Sequence, residues 1–189
     1  ALFRDVSFEI EAGEKVALFG PNGCGKSTLL NIISGHMEPD SGRVWSQPGA
    51  ILGYLPQALQ FPGDLTPSDL CHDPAVLGRF GIEPAVARMP MSNLSAGQHR
   101  RVALAQVWAA QPDLIMLDEP TNHLDARAMY LLARLIRESR SAVLLVSHDR
   151  YFLDHTARRI VELTPQGVRS YTGNYTAFRA RKDSELEAE

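Results

Sequence analysis

Lys15-Val16-Ala17-Leu18-Phe19-Gly20-Pro21-Asn22-Gly23-Cys24-Gly25-Lys26-Ser27-Thr28 decides how the rest of the chain is read. Lys15 to Phe19 reads as a strand. Leu29, Leu30, Ile32 and Ile33 follow at helical spacing, closed by Gly35. Between the two, Gly20 to Ser27 fits the spacing GxxxxGK followed by Ser or Thr, after a strand and at the opening of a helix. Glycines there let consecutive backbone N–H groups curl around phosphate oxygens with no Cβ in the way, and the helix N-terminus adds a positive dipole end. Lys26 is expected to reach the phosphates and the Ser27 hydroxyl to ligate Mg²⁺. The plain alternative, a chance glycine turn before a helix, is disfavoured by the context on both sides. Cys24 fills a free position of the motif and reads as packing.

Working outward, Val6 to Ile10 alternates apolar with polar residues and reads as a strand, turned by Ala12-Gly13 into the next. Beyond the first helix, Asp40-Ser41-Gly42 is a turn, and Arg43 to Trp45 and Ile51 to Leu55 read as short strands. From Pro56 to Pro90 the breakers Pro62, Gly63, Pro67, Pro74, Gly81 and Pro84 leave loops and short helices, a small subdomain. Order returns with a helix from about Ala96 to Ala110, a buried strand (Leu114 to Leu117), a helix (Asp125 to Glu138) and a second buried strand (Val143 to Val146). Two short apolar runs separated by a helix are what a parallel sheet covered on both faces requires. A helix from Asp149, a hairpin around Thr164-Pro165-Gln166-Gly167 and a charged helix from Tyr175 complete the chain.

Composition bounds the reading. A chain of 189 residues with 44% hydrophobic and 22% charged residues suits one domain and excludes disordered, collagen-like and disulfide-scaffold classes. The net charge of −3 is no whole-chain signature for a polyanion partner. Cys24 and Cys71 form no CxxC pair, which suits a reducing cytosol. Apolar runs such as Ala142 to Val146 are too short to span a bilayer, and no signal peptide opens the chain. A cytoplasmic, soluble domain is expected. The start at Ala1, without Met, reads as a cut, with one more strand expected upstream.

Leu114-Ile115-Met116-Leu117-Asp118-Glu119 is an apolar strand ending in two acids. Open parallel sheets place ligands at the carboxyl ends of their strands, so both acids are expected beside the phosphate loop. Asp118 is then expected to hold Mg²⁺, and Glu119 to orient or deprotonate an attacking water. Two ordinary acids at a solvated strand end are the bland reading, favoured only in the loop's absence.

Four further pieces complete a pattern: Gln57 after Gly53-Tyr54-Leu55-Pro56, Leu94-Ser95-Ala96-Gly97-Gln98, Pro120-Thr121-Asn122-His123-Leu124-Asp125, and Ser147-His148-Asp149-Arg150. In this order they resemble the nucleotide-binding domain of ATP-binding-cassette (ABC) proteins over nearly the whole chain. The resemblance implies an α/β P-loop NTPase fold of the ABC type, with a mostly parallel core sheet, an antiparallel β edge and a small helical subdomain. It divides the chain into an ATP-binding core (1–56 and 111–173), a short helical subdomain with the signature motif (57–110) and a C-terminal helix (174–189). It implies ATP and Mg²⁺ as ligands, with Gly20, Pro21, Asn22, Gly23, Cys24, Gly25, Lys26, Ser27 and Thr28 binding ATP. Ser27, Gln57 and Asp118 would serve the metal, and Glu119, His148 and Gln57 would serve catalysis. Ser95, Ala96, Gly97 and Gln98 look like the signature that contacts the ATP held by a second domain, with Ala96 standing where the family usually has glycine. Asp125 looks like the loop acid that meets that second domain. Plainer readings stand beside these: Ser95 and Asp125 as helix caps, Gln57 as a surface amide, His148 as a core histidine. The other five histidines show no metal spacing.

The resemblance implies a head-to-tail dimer, either with a second cassette of the same chain or as a homodimer, with ATP trapped between phosphate loop and signature. Thr121 to Asp125, Ser147 to Asp154, and Tyr171-Thr172-Gly173-Asn174-Tyr175 with Phe178 are most like the ABC-F branch, soluble proteins that act on the ribosome. The charged run Arg179 to Glu189 resembles the start of a linker between cassettes. The alternatives are the ATPase subunit of a membrane transporter and a non-hydrolysing ATP switch, the latter opposed by Glu119. The family's adenine-stacking aromatic would lie upstream of Leu2, so nucleotide affinity is expected to be weak and indifferent to the base.

Overall fold

Consecutive side chains of a strand point to opposite faces of its sheet, and in this chain the alternation sorts the core into two layers. The computed structural model describes residues 2–187. Ala188 and Glu189, which the sequence assigns to the C-terminal helix, lie outside the described residues, as does Ala1. Strands β1 (Lys15–Phe19), β2 (Leu52–Leu55), β3 (Leu114–Asp118), β4 (Ala142–Val146), β5 (Arg159–Thr164) and β6 (Gly167–Thr172) form one sheet in the order β2-β3-β4-β1-β5-β6. All neighbours are parallel except β5 and β6, which form the antiparallel edge.

Val16 and Leu18, Met116, Leu144 and Val146 point to one face, where they pack with Leu29 and Leu30 of helix α1 (Lys26–Ile33). Ala17, Ile115, Leu117, Val143 and Leu145 point to the other. That face is covered by α4 (Ala96–Ala109), α5 (Ala126–Glu138), α6 (Arg150–Thr156) and α7 (Tyr175–Glu187). Between β2 and α4 lie two short helices, α2 (Pro67–Leu70) and α3 (Pro74–Arg79), and two single 3₁₀ turns, in keeping with the breakers read from the sequence.

Helix starts are written in the sequence. Ser95 accepts a hydrogen bond from the Gln98 N–H while the Gln98 side chain accepts from the Ser95 N–H, a capping box for α4. Asp125 and Asp149 cap α5 and α6 by accepting from Ala128 and Phe152, and Asn174 caps α7. Phe178 of α7 is buried edge-on against Phe19 and Tyr171, with ring centroids 5.1 and 5.0 Å away.

Two expected strands are absent. Val6 to Ile10 and Arg43 to Trp45 run without ladder partners. A strand needs ladder hydrogen bonds to a neighbouring backbone, and among the described residues neither segment makes them. Val6, Phe8 and Ile10 still pack, half-buried, onto the α1 side of the core, so their alternation signalled burial and not pairing. Trp45 is 78% exposed.

Leu145, fully buried on the central strand β4, should therefore carry far more stability than Trp45. Urea unfolding of Leu145→Ala is expected to show a loss of about 3 kcal/mol, against roughly 0.5 kcal/mol or less for Trp45→Ala.

Candidate functional site

The parallel strands all end on one edge of the sheet, and four of them deliver the residues picked out above. β1 leads into Gly20, β2 to Gln57, β3 to Asp118 and Glu119, and β4 to Ser147 and His148. β3 lies beside β4 with Asp118 level with Val146, and β4 lies beside β1.

The loop after β1 turns through Gly23 (φ 76°) and Gly25 (φ 104°), conformations that a Cβ disfavours. No side chain caps α1, which leaves its first N–H groups to an anion. The buried Lys26 arches back over the loop, its Nζ donating to the carbonyls of Gly20 (2.7 Å) and Pro21 (2.9 Å), with Cys24 Sγ 3.9 Å away. Cys24 is half-buried, and a Cβ on Gly20 would stand 2.8 Å from its sulfur. Ser27 and Thr28 follow in the first turn of α1.

Asp118 is 1% exposed, and among the described residues neither carboxylate oxygen has a hydrogen-bond donor in good geometry. Burial raises its pKa, opposed by the neighbouring Ser27 hydroxyl and by the charges of Lys26, Arg100 and His148. A buried carboxylate with free lone pairs beside a serine hydroxyl is a hard-oxygen set of the kind Mg²⁺ takes. The residues present thus fit a magnesium ion, with Asp118 and Ser27 as the groups to hold it.

Glu119 is 7% exposed and sits at φ 50°, a strained backbone for a glutamate. Its N–H bonds the Val146 carbonyl (2.8 Å), which ties it to the end of β4. Its Oε1 lies 3.1 Å from His148 Nε2, while the His148 N–H donates to Oε2 at 3.3 Å. Burial pushes the Glu119 carboxyl up, with His148 pulling against it. The buried acid is thus aimed by a histidine whose side chain is 59% exposed.

Gln57 reaches the same edge with its side chain exposed, and the backbone carbonyl is the part that is held. Ser95, Ala96, Gly97 and Gln98 do not join the cluster. Ser95 and Gln98 are engaged in the capping box, and Ala96 is exposed. Gly97 abuts the next motif instead, for a Cβ there would stand 2.6 Å from the His123 carbonyl oxygen. Asp125 is exposed beyond its helix cap.

Two participants escaped the sequence reading. Arg100 is buried at 3% exposure and donates to the carbonyls of Pro56 (3.2 Å) and Gln57 (2.8 Å). It reads as half of a solvated Arg100-Arg101 pair unless the helical phase is followed, since Ala103, Leu104 and Val107 share its buried face. Tyr54 donates to Asn31 (3.1 Å), and burial, with Asp118 nearby, pushes its hydroxyl up to about 12. Among the described residues no three His, Cys, Asp or Glu side chains converge as a metal cluster, and no helix is long and apolar enough to cross a membrane.

The ABC transporter family model matches residues 3–122. Among curated relatives, the ribosome protection protein VmlR of Bacillus subtilis is 34% identical over 96% of this chain and 35% of its own length. ABC transporter F family member 2 of Arabidopsis thaliana is 36% identical over 98% and 31%, and the ATP-binding protein Uup of Caulobacter vibrioides 38% over 100% and 32%. The chain thus spans about a third of the length of these relatives. Of solved structures, a dimeric post-hydrolysis state of the ATP-binding cassette MJ0796 bound to ADP and Pi superposes with a TM-score of 0.79 at 27% identity, covering 90% of each chain. The RNase-L inhibitor reaches 0.77 at 26% identity, over 93% of this chain and 38% of the other. Sheet order, glycine loop, orphaned aspartate and family model agree, and the chain belongs to the ABC family as one of its ATPase domains.

Proposed function

We propose that this domain binds Mg²⁺–ATP and hydrolyses it to ADP and phosphate. The observation that carries the reading is the meeting, at the ends of β1, β3 and β4, of an uncapped helix N-terminus, a buried aspartate with free oxygens and a glutamate aimed by a histidine. The backbone of Gly20 to Gly25, with Pro21, Asn22, Gly23 and Cys24 between them, would wrap the phosphates. Thr28 would extend the cradle into α1. Lys26 would exchange its two loop carbonyls for phosphate oxygens, a stronger charge-assisted pairing. Magnesium, held by Ser27 and Asp118 and approached by Gln57, would neutralise charge on the phosphates. Glu119, buried and therefore a stronger base than a surface carboxylate, would take the proton of the attacking water. His148 would hold that carboxylate in line and stand next to the terminal phosphate.

A single such site is half of a composite. The first turn of α4, with Ser95, Ala96, Gly97 and Gln98, would face the ATP of a second ABC domain, and Asp125 would line the joint. The dimeric state of MJ0796 supports this arrangement. Since ATP contacts both partners, ATP would favour closure and ADP would release it.

The ribosome is the proposed place of action in the full protein, in translation or antibiotic resistance, in the manner of the ABC-F branch and in the cytoplasm. Support comes from relatives named as a ribosome protection protein and an energy-dependent translational throttle. The segments 1–56 and 111–173 would be the ATP core, 57–110 the helical part and 174–189 the beginning of a linker to a second cassette.

Glu119→Gln in the full-length protein should lower the rate of phosphate release about 100-fold or more while ATP stays bound, as measured by filter retention of labelled nucleotide. Lys26→Ala should instead weaken ATP binding about tenfold or more, the loss of a charge-assisted hydrogen bond. Ribosomes mixed with the Glu119→Gln protein and sedimented should carry it down in ATP and not in ADP. An absence of co-sedimentation in both nucleotides would count against the ribosome and direct the search to a membrane partner.

A further inference from the structure

Arg100 is a fully buried cation that the hydrolysis scheme above does not use. It projects from α4, one turn past the capping box of Ser95 and Gln98. Its guanidinium reaches across to the strand-end segment after β2, with Nη1 donating to the Pro56 carbonyl (3.2 Å) and Nη2 to the Gln57 carbonyl (2.8 Å). Asp118 and Glu119 lie close enough for their negative charge to act on it. Its Nε is buried without a partner among the described residues. A desolvated guanidinium with an unused donor is costly, and apolar packing alone would be met by leucine or methionine at this position.

Its placement offers a use for the cost. The planar fork fixes two successive carbonyls at once, so the backbone at Gln57 cannot move relative to α4 without breaking two charge-assisted hydrogen bonds. Three residues earlier and on the same face of α4, Gly97 abuts the His123 carbonyl, with no room there even for a Cβ. The first turns of α4 therefore touch both the Thr121–Asp125 loop, through Gly97, and the Gln57 backbone, through Arg100.

We propose that Arg100 is a positioning residue that couples the start of α4 to Gln57, so that engagement of the signature by a second domain's ATP sets the Gln57 side chain in this domain's own site. The inference rests on the proposed hydrolysis. It adds that the two nucleotide sites of a dimer communicate through one guanidinium. The direction is defined, because Ser95 to Gln98 belong to the partner's site and Gln57 to the home site.

The test uses the full-length protein with Arg100→Lys, which keeps the charge but not the fork, and Arg100→Gln, which keeps a donor but not the charge. Steady-state ATP hydrolysis is measured for each, alone and combined with Gln57→Ala, and thermal melting screens for misfolding. Arg100→Lys should lower kcat about tenfold with KM for ATP within twofold of wild type. In the Gln57→Ala background the same change should cost less than twofold, because the group being positioned is already gone. If both substitutions reduce kcat independently, so that their effects multiply, Arg100 does not act through Gln57 and the proposal is overturned. Unchanged kcat in Arg100→Lys and Arg100→Gln, with wild-type melting, overturns it equally. A wild-type protein that releases no phosphate would overturn the hydrolytic reading itself, an outcome distinct from active wild type with indifferent Arg100 variants.

Discussion

A carboxylate taken out of water with too few hydrogen-bond donors is among the most costly groups a fold can keep, and Asp118 is such a group, neither oxygen meeting a well-aligned donor among the described residues. It ends a strand buried on both faces, so it cannot relax into solvent. Around it the chain has collected Lys26 and Ser27 from the start of α1, Arg100 from α4 and His148 from beyond the end of β4. Each favours the ionised acid, and together they do not cancel the effect of burial, since the balance still raises the pKa. What remains is a carboxylate whose two oxygens lack a well-aligned donor among the described residues, beside Ser27 and Lys26, where a hard divalent cation would complete the charge balance. Glu119, one residue on, solves the same problem differently, by a strained backbone and a histidine partner.

The sheet makes this collection possible. Parallel neighbours bring the ends of β1, β2, β3 and β4 to one edge from positions scattered over more than a hundred residues of sequence. The two-faced core, α1 on one side and α4 to α7 on the other, holds those ends in register. The close approach at Gly97 and the fork of Arg100 then bring α4 against both the Thr121–Asp125 loop and the Gln57 backbone. The motifs are thus mechanically connected as well as adjacent.

Much of this was legible in the residues. The mostly parallel core was readable from apolar runs whose ends carry Gly20, Asp118 and His148, although the order of the strands was not, and the cap residues Ser95, Asp125, Asp149 and Asn174 mark their helix starts. Val6 to Ile10 is not a strand because alternation reports which side chains are covered and says nothing of a backbone partner, whereas Arg43 to Trp45, a short run after a turn, is exposed throughout and unpaired. Arg100 was passed over because a charged pair after a cap resembles a solvated face, and only its phase with Leu104 and Val107 reveals it as interior. The contact between Gly97 and His123 has no local signature at all, since it joins two motifs distant in sequence. Gln57 was found by its position, while the part of it that the fold holds is its carbonyl.

The central claim is that the orphaned carboxylate of Asp118 is a magnesium-dependent ATP site. Phosphate release by the full-length protein, in Mg²⁺ and in EDTA, compared with Asp118→Asn, tests it most directly. The account predicts turnover that requires Mg²⁺ and falls by about 100-fold or more in Asp118→Asn, the several kcal/mol that a metal contributes to a charged transition state. Turnover at the wild-type rate in Asp118→Asn, or turnover undiminished by EDTA, would contradict it.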